Sequence, residues 1–278
     1  MRRLASHSLE KRMIIMVRAD GIRWFREIGL GDVALVGGKT ASLGELYNRL
    51  TPKGIQVPNG FALTAAVYRQ ALDRAKAWEK LAALMKGVTA CSVTEIARRG
   101  RDARRIVYDA TGTAEIKAAV AEGYRALEGE HGRRLAVAVR SSATAEDLPG
   151  ASFAGQHESY INVRGGEEVF QAVRRCFASL FTDRAILYRS NNGFDHLKVA
   201  LSVAVMKMVR SDRASSGVIF TLDTESGFRD VVLVTGSYGL GENVVQGRID
   251  PDEFYVHKPS FRAGHRAVLR HVLGGKQT

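Results

Sequence analysis

The chain has 278 residues, 45% of them hydrophobic and 25% charged, with a formal net charge of +12 at pH 7; these are proportions of a globular protein long enough for one large domain or two small ones. No apolar run approaches the ~18–20 residues of a membrane span, which argues against a membrane partner. The basic residues are dispersed (Arg98-Arg99-Gly100-Arg101 with Arg104-Arg105, Arg133-Arg134, Arg174-Arg175, Arg210 and Arg213) and are not interleaved with aromatics, which argues against a nucleic-acid partner. Residues 1–19 are basic and mixed, without the apolar stretch of a signal peptide, and read as a leader or an over-extended start. Thr40 to Leu50 places Leu43, Leu46, Tyr47 and Leu50 on one helical face, closed by Pro52 and Gly54. Thr64 to Met85 reads as one helix or two, and Ser92 to Ala110 as a charged helix. Thr113 to Glu128 sets Ile116, Val120, Tyr124 and Leu127 on one face.

Leu135 to Val139 then reads as a buried strand ending in Arg140, and His157 to Val163 as a second strand after a loop of small and hydroxyl residues. Glu167 to Tyr188 carries Val169, Phe170, Val173, Phe177, Leu180 and Phe181, the apolar stripe of an amphipathic helix. Strands follow at Ala200 to Val209, Gly217 to Leu222, Val231 to Thr235 and Phe254 to His257. Helices first, then a mixed segment, then strands is an α+β order, not a βαβ alternation. Cys91 and Cys176 have no metal-type spacing and fit core thiols in a reducing compartment.

Several short motifs fail on inspection. Gly37-Gly38-Lys39-Thr40 lacks the earlier glycine of a Walker loop, since Val33 stands there. What remains is Lys39 beside flexible backbone at a helix start, either incidental or a contact for anionic oxygens. Gly150-Ala151-Ser152-Phe153-Ala154 misses the nucleophile elbow because residue 154 is alanine. Gly239-Leu240-Gly241-Glu242-Asn243-Val244 lacks the last glycine of a dinucleotide fingerprint, and Glu253 comes too soon after it. The seven histidines include no HExxH pair, which leaves them as surface or structural residues and gives no metal ligands within the chain. The loop between the two central strands can lay backbone N–H groups and hydroxyls over a phosphate chain, with Arg140 at its base.

The order Arg140-Ser141-Ser142-Ala143-Thr144-Ala145-Glu146-Asp147, then Pro149-Gly150-Ala151-Ser152-Phe153-Ala154-Gly155-Gln156, resembles the nucleotide-binding domain of the phosphoenolpyruvate synthase (pyruvate, water dikinase) and rifampin phosphotransferase family. Val36 to Leu46, Val57-Pro58-Asn59-Gly60-Phe61, and Tyr238 to Gly247 with Pro251 to Val256 match further family segments in the same order. Pyruvate, phosphate dikinase fits less well, because its loop is methionine-rich where this chain reads Ala151 to Ala154.

The resemblance implies an ATP-grasp-like domain of the pyruvate phosphate dikinase type over residues 20–278, incomplete on its C-terminal side. It implies ATP as ligand, with Lys39 and Arg140 as the catalytic phosphate contacts and Gly150, Ser152, Gly155 and Gln156 as the loop over the nucleotide. Ser159 falls where the family has threonine near the nucleotide, and Met206 where relatives have glutamine in the strand bordering the adenine. Mg2+ is implied with ligands beyond the end of this chain. The implied partners are a phosphohistidine domain and a pyruvate-binding domain outside it, and the implied setting is cytoplasmic. Pyruvate would be phosphorylated with ATP and water to phosphoenolpyruvate, AMP and phosphate. The alternatives are the N-terminal part of rifampin phosphotransferase and a non-catalytic nucleotide-binding remnant. Apolar strand edges left by an incomplete fold predict aggregation.

Overall fold

The computed structural model of the chain describes residues 21–144 and 157–275. Two compact units divide between Met208 and Val209. The expected span 20–278 covers both.

The first unit is built on five strands, β1 (Ile22–Trp24), β2 (Gly60–Leu63), β3 (Val137–Ala143), β4 (Ser159–Val163) and β5 (Leu201–Lys207), in the order β1-β2-β5-β3-β4. Every pairing is antiparallel. Side chains alternate across a strand, so each strand feeds two cores. Phe61, Leu63, Val137, Val139, Val203 and Val205 join the larger cluster; Ala62, Ala138, Ala204 and Met206 join the smaller.

One helix, α1 (Val33–Leu50), covers the smaller cluster. Six cover the other face: α2 (Ala65–Arg74), α3 (Trp78–Met85), α4 (Val93–Ala110), α5 (Ala114–His131), α6 (Gly166–Ala178) and α7 (Asp183–Asn191). The predicted face of α5 is buried at Ile116, Val120, Tyr124 and Leu127. Ser92 and Thr113 start α4 and α5 by accepting the main-chain N–H groups of Glu95 and Ile116, each at 3.3 Å.

Three expectations change. The predicted face of α1 is buried only in part: Leu43 and Tyr47 pack against the smaller cluster, but the most buried positions belong to small residues. Thr40, Ala41 and Gly44 are buried while Leu46 is exposed, because the helix lies so close to Ile28 that a Cβ on Gly44 would sit 2.6 Å from the Ile28 carbonyl oxygen. Small residues, not leucines, allow that approach. The single helix expected over Glu167 to Tyr188 breaks at a 3-10 turn, Ser179–Phe181, and restarts where Thr182 accepts the Ala185 N–H at 3.3 Å. And β3 does not end at Arg140: it runs to Ala143, with Arg140 its exposed residue.

The second unit is a four-stranded antiparallel sheet, β6 (Ser215–Phe220), β7 (Val231–Tyr238), β8 (Asp252–His257) and β9 (Val268–Val272), in chain order. Two short helices, α8 (Gly241–Val245) and α9 (Lys258–Arg262), interrupt it. Its buried apolar residues among those described are Val231, Leu233 and Ala267. Among the described residues no helix is long and apolar enough to cross a membrane.

Candidate functional site

Gly37 breaks α1. Its φ of 73° and ψ of 162° are non-helical, so Gly38, Lys39 and Thr40 open a second helical segment whose first N–H groups lack partners one turn back. Two serines on the central strands hold this corner. Ser202 on β5 donates to the Val36 carbonyl at 2.5 Å, and Ser142 on β3 accepts the Thr40 N–H at 3.2 Å. A Cβ on Gly37 would lie 2.3 Å from Ser142 Oγ and 2.7 Å from the Ala143 carbonyl oxygen, so only glycine lets the corner touch the sheet. Lys39, half-buried, is carried on that fixed corner.

The remaining described candidates fall along one face of the sheet. Across β3 and β5 the paired residues are Ser142 with Ser202, Arg140 with Ala204, and Ala138 with Met206. Residues two apart share a face about 7 Å apart, so Arg140 stands one step from the serine that holds the Lys39 corner. On its other side Arg140 pairs with Ser159 of β4. The sheet therefore aligns a guanidinium, a hydroxyl and the start of a helix carrying an ammonium, a donor set suited to the oxygens of a polyphosphate. Met206 lies one step beyond Arg140 on the same face but is packed into the smaller core, 7% exposed, beside Ala138, Ala62 and Ala204. Gly150, Ser152, Gly155 and Gln156 lie outside the described residues.

Two residues that sequence reasoning did not single out shape the charge here. His157 is 9% exposed, with Nδ1 3.4 Å from the Ser179 carbonyl oxygen. Burial, and then the positive charges of Arg189, Lys39 and Arg184, pushes its pKa down to about 3. Its ring therefore remains neutral while its surroundings are cationic. Arg189 is fully buried. Its Nε donates to His196 Nδ1 at 3.0 Å, its guanidinium lies 5.5 Å from the centre of the Phe181 ring, and both terminal nitrogens lack a hydrogen-bond partner among the described residues. Burial brings its pKa down to about 10, with Tyr68 opposing, so its charge persists inside the protein. His157 directly follows Gln156 of the loop motif, a positional hint; for Arg189 the sequence offers none.

In the second unit the glycine-rich segment leaves β7 at Gly239, where φ is 80°, and enters α8. Ser216 Oγ donates to the Gly239 carbonyl at 2.6 Å. Glu242 accepts from Gln246 at 2.7 Å, and Glu253 from Tyr255 at 3.3 Å. Among the described residues no group of three or more His, Cys, Asp or Glu side chains could hold a metal ion. The donor set on the α1 face consists of cations and hydroxyls, so no Mg2+ is assigned to it.

The family model for the pyruvate phosphate dikinase AMP/ATP-binding domain matches residues 33–278. The chain is 48% identical over 278 residues to a phosphoenolpyruvate synthase of Synechocystis sp., covering 98% of this chain and 34% of the relative. It is 51% identical over 250 residues to that of Pseudomonas aeruginosa, with coverage of 90% and 32%. It is 48% identical over 256 residues to that of Escherichia coli, with coverage of 92% and 32%. The chain thus spans about a third of the length of the curated relatives it matches.

Proposed function

The chain belongs to the pyruvate phosphate dikinase AMP/ATP-binding domain family, and from that membership we propose that it is the ATP-binding portion of a phosphoenolpyruvate synthase. The observation that supports the reading for particular residues is the α1 face, where two serines tie the Lys39 corner to β3 and β5, beside Arg140 on β3 and its pairing partner Ser159 on β4.

In this reading Lys39 and Arg140 bind the phosphate chain of ATP and neutralise charge as it develops on the transferring phosphoryl oxygens. Phosphoryl transfer asks for little else from the protein beyond alignment. A lysine supplies a compact point charge, and an arginine a rigid fork that never loses its proton. Gly150, Ser152, Gly155 and Gln156 supply backbone N–H groups and hydroxyls over the nucleotide, while Met206, packed in the smaller core, backs the strand that borders the adenine. The phosphoryl group passes to a histidine, and then to pyruvate, on domains outside this chain. Mg2+ would neutralise nucleotide phosphates when bound. The setting is cytoplasmic. Relatives named phosphoenolpyruvate synthase at about half identity favour this over the rifampin phosphotransferase reading, and the retained Lys39 and Arg140 favour it over a remnant without nucleotide binding.

Calorimetric titration of the chain with ATP tests the reading. Lys39→Ala and Arg140→Gln are each expected to weaken binding about ten- to a hundredfold, the value of a charge-assisted hydrogen bond, with an unchanged circular dichroism spectrum. Equal ATP affinity in the parent and both variants would sink the assignment.

A further inference from the structure

Arginines that are scattered in sequence converge away from the α1 face. Arg101, Arg104 and Arg105 with Tyr108 are spaced i, i+3, i+4, i+7 along α4, while Ile96, Gly100, Ala103 and Val107 form its buried stripe. Arg175 near the end of α6 and Arg184 in the first turn of α7 complete the lining of a cleft of about 840 Å³ against Tyr160 of the edge strand β4. Tyr160 packs on the helical face of the sheet, one residue along from Ser159, which pairs with Arg140. The cleft and the candidate nucleotide face thus lie on opposite sides of the sheet.

Five arginines line this cleft with two carboxylates, and both carboxylates are already engaged. Asp183 accepts from Arg104 at 3.0 Å, and Glu158 from Arg184 at 2.8 Å. Of the other three, Arg175 lies 4.9 Å from the centre of the Tyr160 ring, and Arg105 reaches Asp109 only at 3.9 Å. Arg101 makes no ion pair or hydrogen bond among the described residues. All three are exposed. Five cations against two lining carboxylates leave a net positive charge whose members repel one another, and an anion with several oxygens would convert that repulsion into charge-assisted hydrogen bonds.

We propose that this cleft is a second anion site that takes a small phosphate-bearing molecule, independent of the ATP reading. The volume falls in the range of small-molecule pockets, and guanidinium forks match phosphate oxygens two at a time. Both tyrosine rings already carry a guanidinium, Arg175 near Tyr160 and Arg174 at 3.6 Å from the Tyr108 centroid. One face of each ring is thus taken by a guanidinium, which leaves less platform for a stacked base and favours a base-free anion over single-stranded nucleic acid.

The test is calorimetric titration of the 278-residue chain with inorganic pyrophosphate in a Lys39→Ala, Arg140→Gln background, which silences the α1 face. One binding event is expected to remain. Adding Arg101→Gln, Arg105→Gln and Arg175→Gln is expected to weaken it by at least about tenfold with the circular dichroism spectrum unchanged. If the combined variant does not fold, Arg101→Gln alone is read instead, with a loss of about threefold or more expected. Competition by inorganic phosphate or by phosphoenolpyruvate then identifies an inorganic or an organic source; displacement by either supports the site. Three results overturn the proposal: pyrophosphate binding abolished by the Lys39 and Arg140 changes alone, affinity unchanged by arginine neutralisation, or an oligonucleotide held through the same arginines more tightly than pyrophosphate.

Discussion

Gly37 is where one missing methyl group decides whether the candidate site exists. Its φ of 73° with ψ of 162° belongs to a region that only glycine enters without strain, and the nearest obstacles to a Cβ are a side-chain oxygen and a main-chain oxygen. Gly37→Ala is expected to cost roughly 2–4 kcal/mol of stability, read as a lower urea midpoint with an unchanged slope. Adding Ser142→Ala should recover only part of it, because the Ala143 carbonyl oxygen at 2.7 Å is main chain and stays. A Gly37→Ala chain as stable as its parent would mean the corner relaxes freely. Lys39 and Arg140 could be singled out in the sequence only through segments that resemble a family, and their roles stay a proposal. What fixes them was not legible. The hydrogen bonds from Ser142 and Ser202 span 102 and 166 positions of chain, and no local pattern reports contacts that distant. Arg189 was invisible for a related reason: an arginine in a polar stretch reads as solvated until the packing buries it.

At the scale of elements, β6 and β9 are the open edges of the second sheet. On β6, Ile219 is 67% exposed with Phe220 exposed beside it, and β9 exposes Val268 and Leu269. An exposed apolar edge is a template for another strand. Ile219→Lys is expected to lower light scattering of a concentrated sample without shifting the far-ultraviolet spectrum. Scattering that is equal in both chains would acquit this edge. A long helix with a full apolar stripe, such as α5, could be read from periodicity. The strands β1, β2 and β9 could not: Ile22–Trp24 and Gly60–Leu63 have three and four residues, too few for a period of two to declare itself. The break between α6 and α7 was hidden because Leu180 and Phe181 remain buried, so the apolar run continues while the backbone turns. The face of α1 was read only in part: Leu43 and Tyr47 do reach the smaller cluster, but hydrophobic periodicity weights leucine above glycine, whereas the close approach of Gly44 to Ile28 selects the reverse.

For the molecule as a whole, acid is the informative stress. His157 and His196 are held neutral, with pKa values of about 3 and about 4 against an ordinary 6.5, chiefly by burial and next by Arg189. Below about pH 6.5 the unfolded chain protonates both while the folded chain resists, so the unfolded state binds more protons and stability decreases as the pH is lowered. The loss runs from about pH 6.5 to 4 for both residues and on to about 3 for His157. The melting midpoint should therefore drop by several degrees between pH 7 and pH 5, and His157→Gln should flatten that slope. A midpoint indifferent to pH over this interval would show that these rings titrate as they do in water. The sheet of the first unit also sets a timetable. β5 sits at its centre, paired with β2 on one side and β3 on the other, and it carries the serine that anchors Val36. It is also the last of the five strands to be made. At about 5–20 residues per second, the ribosome delivers Leu201–Lys207 some 10–30 s after Lys39. Throughout that interval the nascent chain holds the lysine of its candidate site with half of the anchor still unsynthesised.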